Sequence, residues 1–489
     1  MYAAMELCRL TAAAERTDIN MNYLDYFKEL CAIPHGSGNT RAISDYVAAF
    51  ARTHALRYIQ DEAGNVIIFK EASAGREQDP GVMIQGHLDM VTVKDPDCDI
   101  DFLRDPLTLE TDGDFLYAKG TSLGGDDGIA VAMALAILDS EISHPRLECV
   151  FTVDEEVGML GAAALNMSPL SSRYLLNMDS EDEGVLTVSC AGGARVSFDF
   201  PITREKTVGE GLKVTLSGLT GGHSGVEIHK NRTNAILMLL DILRELSLQV
   251  SFRISDIHGG SADNAIPSSC QAVIVTEEAE HAVHLLNDIA LRLLAPVREK
   301  EPGAALLCEA SALPEAMITS GVQNALLGFA AELPNGVIAM NKEMEDMVET
   351  SSNLGTIQMD SDKIRLVCAP RSASDTEKDD LIRTFMSLAQ THGAIASVSG
   401  EYPGWPLRKE SRLVPLMSEI YEKMYGKKPE VVAIHAGLEC GIFSQHMPDL
   451  DIVSYGPDLF DIHSPKERLS LSSAERTWKY TEEILKQIH

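Results

Sequence analysis

In residues 21–190, short apolar runs alternate with helical patterns, and this order strongly limits the folds open to the chain. The strand-like runs are Val66–Phe69, Gly81–Gln85, Leu147–Val153 and Tyr174–Asn177. Between the second and third runs, Gly128–Leu138 has the uniform apolar character of a buried helix, with Asp126 and Asp127 at its N-terminus. Strands that alternate with helices predict an α/β domain on a largely parallel sheet.

The pattern changes after residue 190 and returns after residue 400. In residues 191–400 we expect two successive α+β units, with strand Leu212–Leu216, helix Thr233–Leu246, strand Ser268–Val275, helix His281–Val297, helix Gln323–Leu333, a strand pair across Thr350–Cys368, helix Thr376–His392 and strand Ala394–Ser399. The α/β pattern resumes in 401–489 with helix Leu413–Tyr425, strands Glu430–Ile434 and Leu450–Ser454, and helix Ser473–Ile488. This order predicts one α/β domain in two pieces, 21–190 and 401–489, interrupted by a lid-like insert at 191–400.

Composition narrows the class of protein. A chain of 489 residues exceeds one ordinary core, and 45% hydrophobic with 23% charged residues is typical of a globular protein. No apolar run approaches the roughly 20 residues of a membrane span, and residues 1–20 lack a signal-peptide pattern. We therefore expect a cytoplasmic protein in which residues 1–20 form a short N-terminal extension.

Cysteine usage and charge exclude several other classes. The nine cysteines include no CxxC pair, which argues against a disulfide framework and a cysteine zinc site. A net charge of −32 disfavours nucleic acid and anionic membranes as partners. The simplest interpretation of the negative charge is that it keeps the protein soluble. A weaker interpretation is that it attracts metal ions and the positively charged ends of peptides.

Two motifs place candidate ligands near predicted strands or helices. His87 and Asp89 follow the strand Gly81–Gln85, and residues two apart face the same side of an extended chain. An aspartate beside a metal-binding histidine holds its tautomer, although this short motif also occurs by chance. Asp126 ends a glycine-rich turn, where a carboxylate can span two metal ions or simply cap the helix.

Three further segments carry acids or a histidine beyond apolar strands. Glu155 and Glu156 follow the strand Leu147–Val153, where a turn would let one bind metal while the other acts as a base. Asp179 follows Tyr174–Asn177, and His463 lies in a loop after Leu450–Ser454. A solvated acidic loop or an ordinary loop histidine explains each segment taken alone.

Together these segments predict a metal site. In open α/β sheets, ligand sites gather at the carboxyl ends of the strands, where all of these residues are expected. Two imidazoles and three carboxylates without a thiolate suit zinc, manganese or cobalt. A phosphate-binding loop is disfavoured, because two acids and no lysine stand at the glycine-rich turn.

The ordered motifs resemble the aminoacylase and carboxypeptidase-like di-zinc metallopeptidases, and within them the aminoacyl-histidine (Xaa-His) dipeptidases. The matching segments, from Ile33 to Pro465, are IPHGSGNT, GHLDMV, GTSLGGDDGIA, TVDEEVGMLGA, NMDSE, GGHSGVEI, NAIP, HAGLECG and HSP. The set covers nearly the whole chain and is highly specific. The resemblance implies a zinc-peptidase catalytic domain with an inserted lid, a small peptide substrate and a homodimer.

The resemblance also implies the ligands of two zinc ions. His87 and His463 would be terminal ligands, one for each ion, and Asp126 would bridge the two ions. Glu156 and Asp179 would complete the separate sites.

Other roles are implied in the same way. Asp89 would orient His87, and Glu155 would be the general base for a water shared by the two ions. In the insert, His223 would stabilise the oxyanion, while Asn264 and Arg371 would bind substrate, Arg371 through a terminal carboxylate. From the sequence alone, structural turns or a surface ion pair explain these last three nearly as well. His435 and Glu439 are expected near the site without an assigned role.

The sequence departs from the family pattern at three places. Gly125 stands where alanine is usual, Asp127 stands where asparagine is common, and the run around His463 reads FDIHSPKE.

From the resemblance, the first expectation is the hydrolysis of dipeptides with a preference for Xaa-His substrates. An aminotripeptidase and an N-acyl-amino-acid deacylase share the same metal core and stay open as alternatives. A non-catalytic peptide-binding protein is remote, because it needs no base beside its metals, and a di-metal phosphatase would require basic residues around the phosphate.

Overall fold

The structure, a computed structural model, describes residues 21–342, 344 and 347–489. In chain order the helices are α1 (Tyr23–Cys31), α2 (Arg41–Thr53), α3 (Gly125–Asp139), α4 (Leu160–Ala164), α5 (Ala235–Ser247), α6 (Ala279–Arg298), α7 (Ser320–Glu332), α8 (Asp375–Thr391), α9 (Leu413–Tyr425), α10 (Cys440–His446) and α11 (Leu471–Gln487). The strands are β1 (Arg57–Gln60), β2 (Val66–Lys70), β3 (Val82–His87), β4 (Leu109–Asp112), β5 (Phe115–Ala118), β6 (Leu147–Thr152), β7 (Tyr174–Asn177), β8 (Val185–Cys190), β9 (Gly192–Pro201), β10 (Arg204–Lys206), β11 (Glu210–Ser217), β12 (Gly222–His223), β13 (Phe252–Gly259), β14 (Ala265–Ile266), β15 (Cys270–Thr276), β16 (Ala305–Ser311), β17 (Ala316–Ile318), β18 (Gly336–Met340), β19 (Val348–Met359), β20 (Lys363–Ser372), β21 (Ile395–Tyr402), β22 (Glu430–Ile434), β23 (Asp451–Ser454), β24 (Leu459–Phe460) and β25 (Arg468–Ser470).

The chain divides into two compact units. Unit 1 comprises the described residues up to Val188 together with Arg408–Val432 and Ile442–His489, and unit 2 comprises Ser189–Leu407 and Ala433–Gly441. The domain limits that we predict at residues 190 and 400 lie close to these unit limits. The short segment Ala433–Gly441 differs, because it belongs to unit 2 although the sequence pattern assigned it to the α/β domain. The expected extension at residues 1–20 lies outside the described residues.

Unit 1 is built on a sheet that contains, among the described residues, eight strands in the order β1-β2-β6-β3-β7-β23-β8-β22. The pairs β6–β3, β3–β7 and β7–β23 are parallel, whereas β1 and β2 extend the sheet in antiparallel fashion. The centre of the sheet is therefore parallel, as the alternation of strands and helices predicts. Its four parallel strands end at one edge, which is where the candidate ligands are expected.

The core of unit 1 forms around α3, which has apolar side chains on all sides. Ile129, Met133 and Ile137 of this helix are completely buried and belong to the same cluster as Phe27 of α1 and Phe151 of β6. Burying a side chain of this size contributes about 1.5–3 kcal/mol, so a helix without a polar face is stable only inside such a core. The N-terminal end of α3 contacts the sheet, where the backbone N–H of His87 in β3 donates to Asp127.

Unit 2 contains, within the described part of the chain, a sheet of nine strands. Eight follow the order β16-β11-β15-β13-β19-β20-β9-β21, and β18 pairs with β19. The predicted strands at 212–216 and 268–275 lie in one half of this sheet and those at 350–368 and 394–399 in the other, which also contains β9 from the start of the insert. The two halves join where β13 pairs with β19, at His258 with Gln358 and Gly259 with Ile357. Helices α5 to α8 contribute to one shared core, in which the rings of Phe198 and Phe329 lie 4.8 Å apart.

Several observed elements lack a counterpart in the sequence pattern, including strands β9, β13 and β16 and the hairpin formed by β4 and β5. The predicted helix Gly128–Leu138 is longer in the structure, where α3 begins at Gly125, and its second and third residues, Asp126 and Asp127, have non-helical backbone angles. The described cysteines are free thiols. Among the described helices, none combines the length and the apolar character required to cross a bilayer.

Candidate metal centre

The candidate metal ligands lie around the carboxyl ends of the parallel strands of unit 1. His87 is the last residue of β3, Glu156 follows β6, and Asp179 follows β7. His463 lies in the loop of the hairpin β24–β25, and Asp126 lies at the start of α3. The structure thus brings all five residues predicted as ligands together in one unit.

The carboxylate of Asp126 lies between the two imidazoles. Its Oδ1 atom is 3.2 Å from Nε2 of His87, and its Oδ2 atom is 3.2 Å from Nε2 of His463. Asp179 Oδ1 lies 3.7 Å from His87 Nε2, while Glu156 Oε1 lies 3.0 Å from His463 Nε2. The five residues therefore form two groups of three that share Asp126.

These two groups fit divalent metal ions. Asp126, Glu156 and His463 offer ligand atoms that all lie within 4.8 Å of one another. Ligands at roughly 2.0–2.2 Å from a tetrahedral zinc ion are roughly 3.3–3.6 Å apart, close to the four separations between histidine nitrogens and carboxylate oxygens given above. The donor set, imidazole nitrogen and carboxylate oxygen, is that of zinc, cobalt or manganese.

Asp127 is an alternative ligand that the sequence motif did not single out. It can form a group with His87 and Asp179. Its Oδ2 atom, however, accepts a hydrogen bond from the backbone N–H of His87 at 3.2 Å. Burial and the nearby charge of Asp179 raise the pKa of Asp127 well above its usual value, which favours the neutral carboxylic acid. In this neutral form Asp127 carries no charge, like an asparagine.

The crowded carboxylates of the cluster require a positive charge close to them. Burial and neighbouring carboxylates raise the pKa of Asp179, and they raise the pKa of Glu181 to about 8. Hydrogen bonds with Asp126 and Glu156 raise the pKa of His463 to about 10. Carboxylates crowded in a buried site repel one another unless a positive charge neutralises them. Protons supply that charge in the metal-free protein, and divalent cations replace them when bound.

Asp89 connects the end of β3 to the turn after β6. Its backbone carbonyl accepts a hydrogen bond from Nδ1 of His87 at 3.0 Å, which leaves Nε2 directed at the carboxylates. Its carboxylate accepts the backbone N–H groups of Glu155 and Glu156 at 3.0 and 3.3 Å. Burial opposes ionisation, but the hydrogen bond and charge of His87 hold the pKa of Asp89 below its usual value. Asp89 therefore connects a candidate ligand, His87, with the backbone of the candidate base, Glu155.

Two residues near the centre were missed by the sequence patterns. Ser37, within the motif IPHGSGNT, donates its hydroxyl hydrogen to Asp89 Oδ2 at 2.8 Å. Glu467, which follows His463 in the same hairpin, is only 3% exposed and binds the turn before Asp126. At Gly125 a Cβ atom would lie 2.6 Å from Leu459 Cδ2, the end of a flexible side chain, so an alanine would require this leucine to shift.

The candidate substrate-binding residues all lie in unit 2. His223 pairs with Ala265, the neighbour of Asn264, in the short ladder β12–β14. Nδ1 of His223 accepts the N–H groups of Gly225 and Val226, both at 3.1 Å, so in the neutral ring the proton is on Nε2.

Arg371 contributes positive charge to the same part of unit 2. Its Nη1 atom donates to the hydroxyl of Tyr402 at 2.9 Å. Burial and the charge of Arg371 lower the pKa of His223, and they lower the pKa of His435 to about 3. The structure thus brings His223 and Arg371 together with His435, which the sequence pattern left without a role. Both imidazoles are neutral hydrogen-bonding groups at physiological pH.

Two histidines and a group of carboxylates near the carboxyl edge of a parallel sheet form a candidate centre for divalent metal ions. The chain belongs to the peptidase family M20/M25/M40, whose sequence model matches residues 83–487. It is therefore a metallopeptidase, and the predicted family, fold class and enzyme class are confirmed.

Two relatives match almost the entire chain. The cytosol non-specific dipeptidase of Escherichia coli (strain K12) is 36% identical over 469 residues, which cover 95% of this chain and 97% of the relative. The crystal structure of aminoacylhistidine dipeptidase from Vibrio alginolyticus has a TM-score of 0.89 and 35% identity, and the match covers 97% of this chain and 99% of that chain. A tripeptidase from Staphylococcus aureus shares the fold, with a TM-score of 0.55 and 17% identity over 96% of this chain and 98% of that one.

Proposed function

We propose that this peptidase hydrolyses dipeptides, with a preference for Xaa-His substrates, at a centre of two divalent metal ions that are zinc under physiological conditions. Dipeptidase activity is supported by the names of two relatives that match the chain nearly end to end. The preference for histidine as the second residue is supported by the aminoacylhistidine dipeptidase and by the motif resemblance.

The single observation that carries the proposal is the position of Asp126. One carboxylate directs a different oxygen to each of two imidazoles, which is the arrangement that a ligand bridging two cations requires. In this assignment His87, Asp126 and Asp179 would hold one ion, while Asp126, Glu156 and His463 would hold the other. When bound, two divalent cations polarise a carbonyl oxygen and lower the pKa of water towards neutrality.

Glu155 is assigned as the general base. Its backbone N–H is fixed by Asp89, and its side chain offers an oxygen within 4.8 Å of ligand atoms of His87 and Glu156. From this position it takes a proton from the attacking water and returns that proton to the leaving amine. Because Asp89 holds both the base and His87, the geometry of proton transfer is linked to that of the metal ligands.

The residues of unit 2 are assigned to the substrate. His223 presents a neutral Nε2–H group, which suits an oxyanion that develops on the scissile carbonyl. Arg371 is assigned to the terminal carboxylate of the dipeptide, and Asn264 to a further polar contact. The Nε atom of Arg371 is buried and has no hydrogen-bond partner among the described residues, which supports a role in binding an anion.

The experiment that tests the proposal combines metal replacement with a substrate panel. The purified protein is treated with a chelator, reloaded with zinc, cobalt or manganese, and assayed on β-alanyl-histidine, Gly-His, Gly-Leu, a tripeptide and an N-acetyl amino acid. We expect activity to disappear with the metals and to return with zinc, and kcat/KM to be highest for the histidine dipeptides. Faster turnover of the tripeptide or the acetylated amino acid would contradict the proposed substrate class.

A cytoplasmic location and a homodimer complete the proposal. The location is supported by the word cytosol in the name of the Escherichia coli relative, and the homodimer by the family resemblance. Cell fractionation and sedimentation of the purified protein test these two points.

A further inference from the structure

The hairpin that carries His463 also carries a buried carboxylate. Glu467 lies between the hairpin tip and β25, and it is 3% exposed although it carries a charged group. Its Oε2 atom accepts the N–H groups of Leu123 and Gly124 at 2.7 and 3.1 Å. Its Oε1 atom accepts those of Gly125 and Asp126 at 2.8 and 3.4 Å. Four consecutive backbone donors thus converge on one side chain.

This convergence depends on the backbone of the glycine-rich turn. Gly124 has a φ of +66°, a left-handed conformation that directs successive N–H groups to the same side and forms a site for an anion. Buried N–H groups without a partner are costly, so the turn needs a carboxylate at this place. Asp126 is the last residue of the turn, and its backbone position is therefore set by Glu467.

The same contact fixes a second ligand. The strands β24 and β25 pair through Leu459 with Leu469 and Phe460 with Arg468, and His463 lies in the loop between them. Glu467 anchors this hairpin to the turn of Asp126, so one side chain joins the segments of two ligands. The Nε2 atom of His463 lies 3.2 Å from Asp126 Oδ2, and this separation depends on both segments.

His463 needs this anchor more than His87 does. The side chain of His463 is 46% exposed, and its backbone φ of +57° is one that residues other than glycine rarely adopt. His87 is 1% exposed and lies within the ladder of a central strand. The position of His87 is fixed within a strand, whereas His463 lies in the exposed loop of a hairpin that pairs with β5 through β25 and contacts the turn of Asp126 through Glu467.

We infer that Glu467 is a positioning residue that sets the distance between Asp126 and His463, and with it the affinity of the ion held by Asp126, Glu156 and His463. The inference rests on the proposed function, because it requires the assigned ligands. Residues that hold metal ligands in place typically contribute 10–100-fold to metal affinity. An effect of that size is expected here, mainly on one of the two ions.

The test compares E467Q with E148Q. Glu148 is a matched control because it is also buried in unit 1 and accepts the backbone N–H groups of a loop, at Ser171 and Ser172, which carries no ligand. A glutamine at position 467 has one acceptor oxygen, and its amide hydrogens would face the N–H groups of the turn. Zinc affinities are measured on the metal-free proteins by competition with a chromophoric chelator, and the cobalt-loaded proteins are compared by visible absorption.

We expect E467Q to bind the zinc ion held by Asp126, Glu156 and His463 10–100-fold more weakly and the other ion, which shares only Asp126, with a smaller loss, together with an altered cobalt spectrum. E148Q should keep both affinities and the wild-type spectrum. Circular dichroism of the metal-free variants checks that each is folded. If E467Q does not fold, the same measurements are made on E467D, with E148D as the control. Aspartate keeps the charge of Glu467 but is too short to reach all four N–H donors.

Wild-type zinc affinities and cobalt spectrum in E467Q, or in E467D where that variant is used, would overturn the inference. Equal weakening in the variants of position 148 would also overturn it, because the effect would then be a general loss of stability. A wild-type protein that binds fewer than two zinc ions would instead overturn the proposed function, so the two failures are distinguishable.

Discussion

The polar clusters of the two units have opposite electrostatic character, although both contain histidines. In unit 1, hydrogen bonds with Asp126 and Glu156 raise the pKa of His463 to about 10. In unit 2, burial and the charge of Arg371 lower the pKa of His435 to about 3. A histidine side chain is therefore a cation in unit 1, where its neighbours are carboxylates, and neutral in unit 2, where it is buried near a guanidinium.

This difference indicates a division of tasks. A cluster with excess carboxylates binds cations and supplies a base, whereas neutral imidazoles beside an arginine donate hydrogen bonds to anions. Changes in the cluster of unit 1 should therefore alter metal content or kcat. Changes in the cluster of unit 2 should leave the metals in place and alter either the binding of substrate or, at His223, the stabilisation of the oxyanion.

The largest effect is expected for Glu155→Gln in unit 1. Removing the general base should lower kcat roughly 10³–10⁴-fold, while both metal ions stay bound, because Glu155 is not an assigned ligand. Steady-state kinetics and elemental analysis of the same preparation measure the two quantities. Glu62→Gln, an exposed position in unit 1, is the control. Turnover of the Glu155 variant within tenfold of the wild type would remove Glu155 from this role.

In unit 2, Arg371→Lys should raise KM for a dipeptide roughly 10–100-fold, because lysine keeps the charge but loses the planar fork that binds a carboxylate. Metal content should not change. Arg365→Lys is a matched control, since Arg365 lies on the same strand β20 and pairs with Asp199. A dipeptide amide without a terminal carboxylate should be insensitive to the change. If KM for the free dipeptide is unaltered in the Arg371 variant, Arg371 does not bind the terminal carboxylate.

Zinc affinity should increase with pH, by about tenfold per pH unit for each proton displaced. The pKa of His463 is raised to about 10, so below that pH the imidazole is protonated and zinc must displace the proton. In the metal-free protein this raised pKa contributes stability below pH ~6.5, which is lost as the pH rises through 10. Calorimetric titrations in two buffers at pH 6, 7 and 8 measure both affinity and proton release. An affinity independent of pH would contradict the account of the cluster in unit 1.

The smallest effect is expected for Ser37→Ala. The variant loses one hydrogen bond to Asp89, worth about 1 kcal/mol, and should lower kcat/KM about fivefold through a less fixed Asp89. Ser171→Ala, which removes a similar bond to Glu148, should leave kcat/KM unchanged. Equal losses of kcat/KM in the two variants would mean that the hydroxyl of Ser37 contributes only to the general stability of the protein.

The features of unit 1 that could be predicted from the sequence have local signals. Each parallel strand is a short apolar run, and His87, Glu156 and Asp179 stand at or just beyond the ends of such runs. Because parallel strands end at one edge, the convergence of these residues follows from topology alone. The helical pattern after Asp126 likewise predicts α3, since the side chains of that helix are apolar on every side.

Other features depend on contacts between distant segments. The pairing of β13 with β19, which joins the two halves of the sheet in unit 2, has no local signature. Glu467 lies in a charged run without periodicity, so its burial was not predicted. A signal was nevertheless present, because a turn containing Gly124 and Gly125 exposes N–H groups that require an anion. The membership of Ala433–Gly441 in unit 2 also arises from long-range contacts.

The central claim, that Asp126 bridges two metal ions, is tested most directly by anomalous diffraction from crystals of the zinc-loaded protein. We expect two zinc peaks, one roughly 2.0–2.2 Å from Asp126 Oδ1 and His87 Nε2, the other at the same distance from Asp126 Oδ2 and His463 Nε2. A single peak, or two peaks of which only one contacts Asp126, would contradict the account.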